Sequence, residues 1–371
     1  MKTKSPLLIN LIILIIINSV LYPCTTFILK KENRLIFGRN LDWVSGTGLL
    51  IVNPRNLEKT ALVDSSEKQI SWVAKFGSIT FNQVGRELPF GGINEAGLVV
   101  EHMTLDKTVY PSTDNRYPIS AFQWIQFQLD NYSTVEEVIS SDTLLRIKDS
   151  SSKIHFLICD RFSHTAVIEF LDGKMVCLTG NDLPVLALAN STYNESMNSY
   201  KDNEGTQSDL SLAHFCSAAK QIKKVNHDNN DSIIDYAFKV LNSVSQGLAT
   251  KWSIVYDLTN MRIYFKIYET PIIDGERKIF LKQPPYDPGT KIVDFKGLDF
   301  RCSESAKILD LNCEYNGEIN QHFADYTTDL NKQFISKAFD FYKGWGLKIE
   351  MADEVKDYIA KFPESFKCAN E

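Results

Sequence analysis

The chain has 371 residues, of which 44% are hydrophobic and 23% are charged, and its formal net charge is −6. These proportions are typical of a globular protein that can bury a substantial core, and the length fits one large domain or two small ones. The charge is spread along the chain without a basic patch, which argues against a nucleic-acid partner.

The first 23 residues have the layout of a secretory leader. Lys2 and Lys4 come before an apolar run at 7–21, and charge followed by an apolar run is typical of a signal peptide. The run is shorter than the roughly 20 residues that span a bilayer. We therefore expect residues 1–23 to be removed, the protein to be secreted or periplasmic, and no stable membrane insertion to remain. An uncleaved membrane anchor is the alternative.

Removal of the leader after Pro23 would leave Cys24 with both a thiol and a free α-amine. An α-amine titrates at about 7.7 to 8.0 and a thiol at about 8.5. The amine can therefore take the thiol proton, so that one residue supplies both nucleophile and general base. The junction Leu21-Tyr22-Pro23 lacks the small residues that signal peptidase prefers. Cleavage upstream, followed by self-cleavage or by a trimming protease, is a second route to the same end.

Residues 24–43 read CTTFILKKENRLIFGRNLDW. An alternating run of apolar residues after a turn at 31–34 predicts the second strand of a hairpin. Such a hairpin brings Arg39 and Asp42, which follow Cys24 by 15 and 18 residues, back beside it. We expect Arg39 to favour the thiolate and so lower the pKa of the thiol. Asp42 is expected to accept a hydrogen bond from the ammonium.

The stretch 91–106 reads GGINEAGLVVEHMTLD. Gly91 and Gly92 are expected to allow a turn, and Gly97 a second tight turn. A buried strand is predicted to follow at 98–105.

Together with CTTF and FGRNLDW, this stretch resembles the choloylglycine hydrolase family of N-terminal-nucleophile hydrolases, which includes bile salt hydrolases and penicillin V acylases. The resemblance is strongest from Cys24 to about Asp130, with weaker echoes at 186–193 and 251–265. It implies hydrolysis of a linear carbon–nitrogen amide bond in a small acyl amide, with no metal and no organic cofactor. It also implies a single domain over 24–371.

The remaining elements are predicted from apolar periodicity and from turn residues. Two blocks of strands with helices before and after them indicate an α+β fold with stacked sheets. The resemblance implies a more specific fold, the four-layer αββα sandwich. The predicted elements are an aromatic strand at 72–81, helices at 118–131, 209–225 and 232–245, strands at 154–159, 165–170, 175–178 and 186–190, a strand pair at 251–268, and an amphipathic stretch at 328–362.

The resemblance also implies three further site residues. The backbone N–H of Thr104 and the side-chain amide of Asn190 match the oxyanion-hole positions, and His214 stands where these enzymes have an arginine. Each has an alternative. Thr104 can be part of a plain core strand, Asn190 begins a glycosylation sequon like those at Asn131, Asn194 and Asn230, and His214 can be an ordinary helix residue with the counterpart shifted or absent.

Two other groups of residues keep open alternatives. Residues 49–51 either line an acyl pocket, as such loops do in the related enzymes, or form a plain core strand. Of the six cysteines besides Cys24, Cys159 and Cys177 lie in apolar strands and are expected to be buried thiols. Cys302 and Cys313 flank a short loop and are candidates for a disulfide bond.

The sequence therefore predicts a secreted cysteine amidase that works through an acyl-cysteine thioester. A bile-salt conjugate, penicillin V and another N-acyl amide such as an acyl-homoserine lactone all remain as substrates. The alternative is a non-catalytic secreted binding protein that keeps the fold, which His214 and the unusual leader junction favour. The oligomeric state, a homo-oligomer included, is left open.

Overall fold

The computed structural model describes residues 23–63, 67–148, 152–202, 209–225, 232–268, 272–273, 276–277, 287–302, 306–344 and 351–369. The predicted leader at 1–22 lies outside the described residues.

Two large sheets dominate the fold. The strands are β1 Thr25–Lys31, β2 Arg34–Asp42, β3 Leu49–Asn53, β4 Leu57–Thr60, β5 Ser71–Val73, β6 Ser78–Asn82, β7 Pro89–Asn94, β8 Val99–Thr104, β9 Tyr117–Ile119, β10 Leu145–Ile147, β11 Ile154–Cys159, β12 Thr165–Leu171, β13 Lys174–Thr179, β14 Ala187–Leu188, β15 Thr250–Asp257, β16 Arg262–Ile267, β17 Ile272–Ile273, β18 Glu276–Arg277, β19 Lys291–Asp294, β20 Lys307–Asp310, β21 Gly317–Glu318, β22 Ala324–Asp325 and β23 Lys367–Cys368. The helices are α1 Ala121–Asn131, α2 Val135–Ser140, α3 Tyr193–Lys201, α4 Leu210–Lys224, α5 Ile233–Ser243, α6 Thr328–Gly344 and α7 Asp353–Lys361.

The first sheet has seven strands in the order β14-β1-β2-β15-β16-β19-β21, and the second has nine in the order β13-β12-β11-β8-β7-β6-β3-β20-β22. Helices α4 and α5 pack on the first sheet, and α1 packs on β7 and β8 of the second. The inner faces meet through aromatic side chains: the Phe81 ring lies 6.0 Å from that of Trp252 and 5.4 Å from that of Phe265. The predicted αββα sandwich is confirmed.

The hairpin of β1 and β2 has the predicted turn. Glu32 adopts a positive φ of 53° there, and the two strands pair without a bulge from Thr25↔Asn40 to Lys31↔Arg34. Gly38 lies under the ring of Phe27, and a Cβ at this position would be only 2.3 Å from Phe27 Cζ. Close ring packing, not a turn, therefore requires glycine here.

The turn predicted at Gly91 and Gly92 is wrong, because both glycines lie inside β7. A Cβ at Gly91 would lie 2.0 Å from a carboxylate oxygen of Glu101, and one at Gly92 would lie 2.4 Å from the carbonyl oxygen of Ile79. Both positions need glycine because neighbouring atoms approach the backbone closely. Gly97, with a φ of +88°, does form the predicted tight turn between β7 and β8.

Most other predicted elements agree with the structure to within a few residues. The single strand expected at 72–81 is two strands, β5 and β6, and residues 44–71 contain β3 and β4. Residues 49–51 are fully buried. Leu49 and Ile51 pack with Phe334 of α6, while Leu50 belongs to the main core between the sheets. The structure therefore favours the core-strand alternative over the acyl-pocket alternative for this segment.

The disulfide bond joins Cys302 to Cys368, 66 residues away, and Cys313 is free. The suggested pairing of Cys302 with Cys313 is therefore wrong. The true partner lies in β23, which pairs with β4, so the bond fastens the end of the chain to the body of the protein. Cys159 is a free, buried thiol, as predicted, and Cys177 is free and half-buried.

Replacing both Cys302 and Cys368 with Ser should lower the free energy of unfolding by about 2–4 kcal/mol, because the unfolded chain regains the entropy of a long loop. Urea unfolding under oxidising conditions measures this change. Cys313→Ser is the matched control and should change stability far less. Equal stability of the double variant and the control would contradict the fastening role of the disulfide.

Candidate active site

Cys24 lies directly before β1 and is 6% exposed. The hairpin register pairs Thr26 with Arg39, so these two side chains share one face of the sheet. Strand alternation places Cys24 on the same face as Thr26, toward the nine-stranded sheet. The Cys24 thiol donates a long hydrogen bond of 3.8 Å to the carbonyl oxygen of Asp42. The hairpin therefore returns the end of β2 to the nucleophile.

Arg39 is fully buried between the two sheets. Its Nε lies 2.8 Å from Oε2 of Glu101 in β8, and one of its terminal nitrogens donates to the carbonyl oxygen of His102 at 3.3 Å. The hydroxyl of Tyr256 in β15 donates to the other Glu101 oxygen at 2.5 Å. Burial raises the pKa of Glu101 to about 7, although Arg39 and the Tyr256 hydrogen bond act against the rise.

Asp42 is fully buried and stands opposite Thr250 in the register of β2 and β15. The Thr250 hydroxyl donates to Asp42 Oδ1. Among the described residues, Oδ2 has no hydrogen-bond partner. Burial raises the pKa of Asp42 to about 7, against the hydrogen bond from Thr250 and the charge of Arg39. A carboxyl group whose pKa lies near neutrality suits an exchange of protons with an amine.

Burial also raises the pKa of the Cys24 thiol to about 12. Arg39 lowers this pKa, as the sequence predicts, but burial together with the negative charges of Asp42 and Glu101 outweighs it. The effect of Arg39 is therefore in the predicted direction, while the net pKa of the thiol lies above its ordinary value in the chain in which Pro23 precedes Cys24. In that chain the nitrogen of Cys24 belongs to a peptide bond and cannot act as a base.

Two strand ends carry the residues matched to the oxyanion hole. Thr104 is the last residue of β8, two positions after His102, and pairs with Ile154 of β11. The register of β14 and β1 pairs Leu188 with Thr26, so that continuing it by two residues sets Asn190 opposite Cys24. Asn190 is half-buried, and its Oδ1 has no hydrogen-bond partner among the described residues.

The sequons have different surroundings. Asn131 is buried and donates to the carbonyl oxygen of Phe127, which leaves it inaccessible to a glycosyl transferase. Asn194 is exposed in α3, and Asn230 lies outside the described residues. Asn190 is half-buried two residues after β14, and it can carry a glycan or the proposed oxyanion role but not both.

His214 lies in α4 on the helix side of β1, with Nδ1 3.4 Å from the hydroxyl oxygen of Thr25. It also hydrogen-bonds the backbone of Pro23. Burial lowers the pKa of His214 to about 4, against the effect of that hydrogen bond. His214 is therefore near Cys24 but neutral at pH 7, so it cannot reproduce the permanent charge of an arginine.

The sequence analysis missed several polar residues at this site. Glu101 pairs with Arg39, Thr250 holds Asp42, and Gln246 donates from Nε2 to the carbonyl oxygen of Pro23 at 3.3 Å. A carboxylate inside the apolar run LVVEHM is the one signal that would have pointed to Glu101. The described residues contain no cluster of three or more His, Cys, Asp or Glu side chains placed to hold a metal ion. None of the described helices has the length and apolar character that a bilayer crossing requires.

A model of the acyl-coenzyme A:6-aminopenicillanic acid acyl-transferase family matches residues 29–269. The chain belongs to this family. It is also 25% identical over 338 residues to a penicillin V acylase from Pectobacterium atrosepticum, a match that covers 81% of this chain and 89% of the relative.

Solved structures show the same fold. The penicillin V acylase from Agrobacterium tumefaciens has a TM-score of 0.66 and 24% identity, and covers 82% of this chain and 98% of its own. A variant of the conjugated bile acid hydrolase from Clostridium perfringens has a TM-score of 0.59 and 17% identity, and covers 79% of this chain and 97% of its own. The predicted resemblance is confirmed, as is the predicted class of enzyme, a hydrolase of carbon–nitrogen amide bonds. This class argues against the non-catalytic binding protein.

Glu101→Gln tests the electrostatics of the buried pair. Because the pKa of Glu101 rises from 4.5 to about 7 on folding, its contribution to stability is complete below about pH 4.5 and is lost as the pH rises to about 7. We expect the wild type to lose stability relative to Glu101→Gln across this window, by on the order of 3 kcal/mol.

Urea unfolding of both proteins at the two ends of the window measures this difference, and Asp42 cancels because it titrates in both. A wild type that gains stability over the variant as the pH rises would show that Arg39 lowers the pKa of Glu101 more than burial raises it.

Proposed function

We propose that this protein is an exported amidase in which Cys24, once it is the first residue, attacks the carbonyl carbon of an acyl amide. The observation that carries the proposal is the convergence of Cys24, Arg39 and Asp42 at one end of the β1–β2 hairpin. Asn190 follows β14, the other neighbour of β1, by two residues. Residues 1–23 serve as the export leader in this proposal. Fractionation of the host into cytoplasmic and exported protein tests that part.

The free α-amine of Cys24 takes the proton of its own thiol as the sulfur attacks. The resulting ammonium can donate to the unpartnered Oδ2 of Asp42, which the Thr250 hydroxyl holds through the other oxygen. Arg39 adds a positive charge that favours the thiolate. With the amine free, nucleophile, base and orienting carboxylate lie within one hairpin and its neighbouring strand.

Attack turns the carbonyl oxygen of the substrate into an oxyanion. The N–H of Thr104 and the side-chain amide of Asn190 are proposed to donate to it, which in other hydrolases is worth about 10²–10³-fold in kcat for each donor. The carbon–nitrogen bond breaks, and the departing amine takes the proton from the Cys24 ammonium. Water then attacks the acyl-cysteine thioester, releases the acid and restores the thiol.

The same thiol is proposed to remove the segment in front of it. The carbonyl oxygen of Pro23 accepts a hydrogen bond from Gln246, and His214 hydrogen-bonds the same backbone unit. Attack by the Cys24 sulfur on the Pro23 carbonyl carbon forms a thioester, while the C–N bond breaks and the thiol proton passes to the released α-amine. Hydrolysis of that thioester frees the leader as an acid and leaves Cys24 first.

The candidate acyl groups of the substrate come from the relatives and from the family resemblance of the sequence. Penicillin V, a bile-acid conjugate and a fatty-acyl amide each join an apolar acyl group to a polar amine across an amide bond. The penicillin V acylase relative covers most of this chain, so penicillin V is the first substrate to test.

Cys24→Ala should lower kcat by at least about 10⁴-fold, since loss of a nucleophile removes the covalent route. Cys24→Ser should keep weak activity, because a hydroxyl is a poorer nucleophile. Both variants are produced with Met directly before residue 24, which the host aminopeptidase removes, so that processing does not confuse the comparison. Hydrolysis of a panel of acyl amides, with circular dichroism to confirm folding, gives the answer. A Cys24→Ala variant that remains active would exclude the mechanism.

Gln246→Leu should slow release of the leader from purified precursor by about 10²- to 10³-fold, because one donor to the carbonyl oxygen is lost. Gln321→Leu, at an exposed position, is the control and should process normally. The intact mass of the precursor against time measures the rate. Purified precursor that stays intact, while a host extract processes the wild type and Gln246→Leu alike, would show that a trimming protease does the work.

A further inference from the structure

Two buried polar side chains lie outside the site described so far. His155 of β11 and Glu169 of β12 are almost completely buried, and His155 Nδ1 is 3.3 Å from Glu169 Oε1. The register of β11 and β12 pairs Phe156 with Ile168, so His155 and Glu169 are the next cross-strand pair. Phe156 packs against Trp124 of α1 on the outer face. By strand alternation, the pair therefore faces the seven-stranded sheet.

Both side chains bind the turn that carries Asn190. His155 Nε2 donates to the carbonyl oxygen of Ala189 at 2.7 Å, directly before Asn190. Glu169 Oε1 accepts a hydrogen bond of 2.8 Å from the backbone N–H of Tyr193, three residues after it. The turn follows β14 of the first sheet, but both of its ends are hydrogen-bonded to side chains of the second sheet.

β11, the strand that carries His155, also pairs with β8, whose last residue is Thr104, the other proposed oxyanion donor. In the register of β8 and β11, His155 pairs with Met103 and Ile154 pairs with Thr104. His155 therefore stands beside the strand end that presents the Thr104 N–H, while its ring reaches the turn that presents the Asn190 amide. The two donors come from different sheets, and this side chain connects them.

Both ring nitrogens of His155 are engaged, which fixes the orientation of the ring. The Ala189 carbonyl can only accept, so Nε2 must carry a proton. Glu169 Oε1 accepts the Tyr193 N–H and lies 3.3 Å from His155 Nδ1, so both residues are tied to the same turn.

We propose that His155 and Glu169 are positioning residues that set the distance between Asn190 and Thr104 across the oxyanion hole. Glu169 acts through His155 and through the Tyr193 N–H, and neither residue touches the substrate. This inference rests on the proposed function, in which the side-chain amide of Asn190 is an oxyanion donor.

His155→Phe keeps the ring volume and removes both hydrogen bonds. We expect kcat with penicillin V, or with the acyl amide of the panel that is hydrolysed fastest, to fall about 10- to 100-fold with little change in KM, because a donor displaced by about 1 Å costs this much. His155→Gln places an amide N–H near the position of Nε2, so it should restore kcat to within about fivefold of the wild type.

Val167→Ala is the control for a merely structural role, since it creates a cavity two residues from Glu169 on the same strand. It should lower the free energy of unfolding without lowering kcat per active site, counted by alkylation of Cys24. Equal loss of kcat in Val167→Ala and His155→Phe would overturn the positioning role.

A double-mutant cycle with Asn190→Ala separates this inference from the proposed function. If the inference holds, His155→Phe lowers kcat in the wild type but has little further effect once Asn190 is Ala. If Asn190→Ala lowers kcat and His155→Phe lowers it further by the full factor, positioning is refuted while the oxyanion role of Asn190 stands. If Asn190→Ala has no effect, the oxyanion assignment itself is wrong.

Hydrogen exchange gives a readout that needs no substrate. The Tyr193 N–H donates to Glu169, so His155→Phe should accelerate its exchange at least about tenfold, as expected when a local hydrogen-bonded turn opens more often. His155→Gln should restore most of its protection. Unchanged exchange across 189–193 in His155→Phe would show that His155 does not hold the turn.

Discussion

The burial of one guanidinium group between two sheets is the constraint on which this site depends. Arg39 is fully buried, and an unpaired charge in that position would cost several kcal/mol. Its counter-ion, Glu101, comes from the opposite sheet and is held by Tyr256. The carboxylate has room only because Gly91 has no side chain. The buried charge of Arg39 thus constrains residues on three other strands, β7, β8 and β15.

In the chain with its leader attached, Cys24 has a raised thiol pKa and no free α-amine. Burial and two nearby carboxyl groups hold the thiol of Cys24 in its protonated form, and Arg39 alone cannot reverse this. Breaking the bond to Pro23 creates the missing base at the point where it is needed. Asp42, whose Oδ1 accepts from Thr250 and whose Oδ2 has no hydrogen-bond partner among the described residues, is the proposed acceptor for the new ammonium. In the proposed mechanism, loss of the leader therefore activates Cys24.

The sequence predicts what depends on neighbours along the chain. Apolar alternation predicts the hairpin that brings Arg39 and Asp42 to Cys24, and most helices and strands follow from the same periodicity. Prediction from the sequence fails where a residue type or an element depends on a contact between segments that are distant along the chain. In the sequence, the glycine at position 91 is typical of a turn. The actual reason for glycine, the Glu101 carboxylate that leaves no room for a side chain, lies on another strand and is not visible in the sequence.

The same limit applies to the polar residues around the site. His155 and Glu169 have no pattern that separates them from ordinary strand residues. Their importance comes from strand register and from a turn more than twenty residues further along the chain. The partner of Cys302 was missed for the same reason, since β23 reaches β4 only in the folded protein.

The proposed mechanism requires that the α-amine of Cys24 is free in the active enzyme. The intact mass and N-terminal sequence of the most active fraction purified from the natural host test this directly. We expect this fraction to begin at Cys24. An active fraction in which Pro23 still precedes Cys24 would contradict it, because the nitrogen of Cys24 would then be a peptide nitrogen without a lone pair to accept the proton.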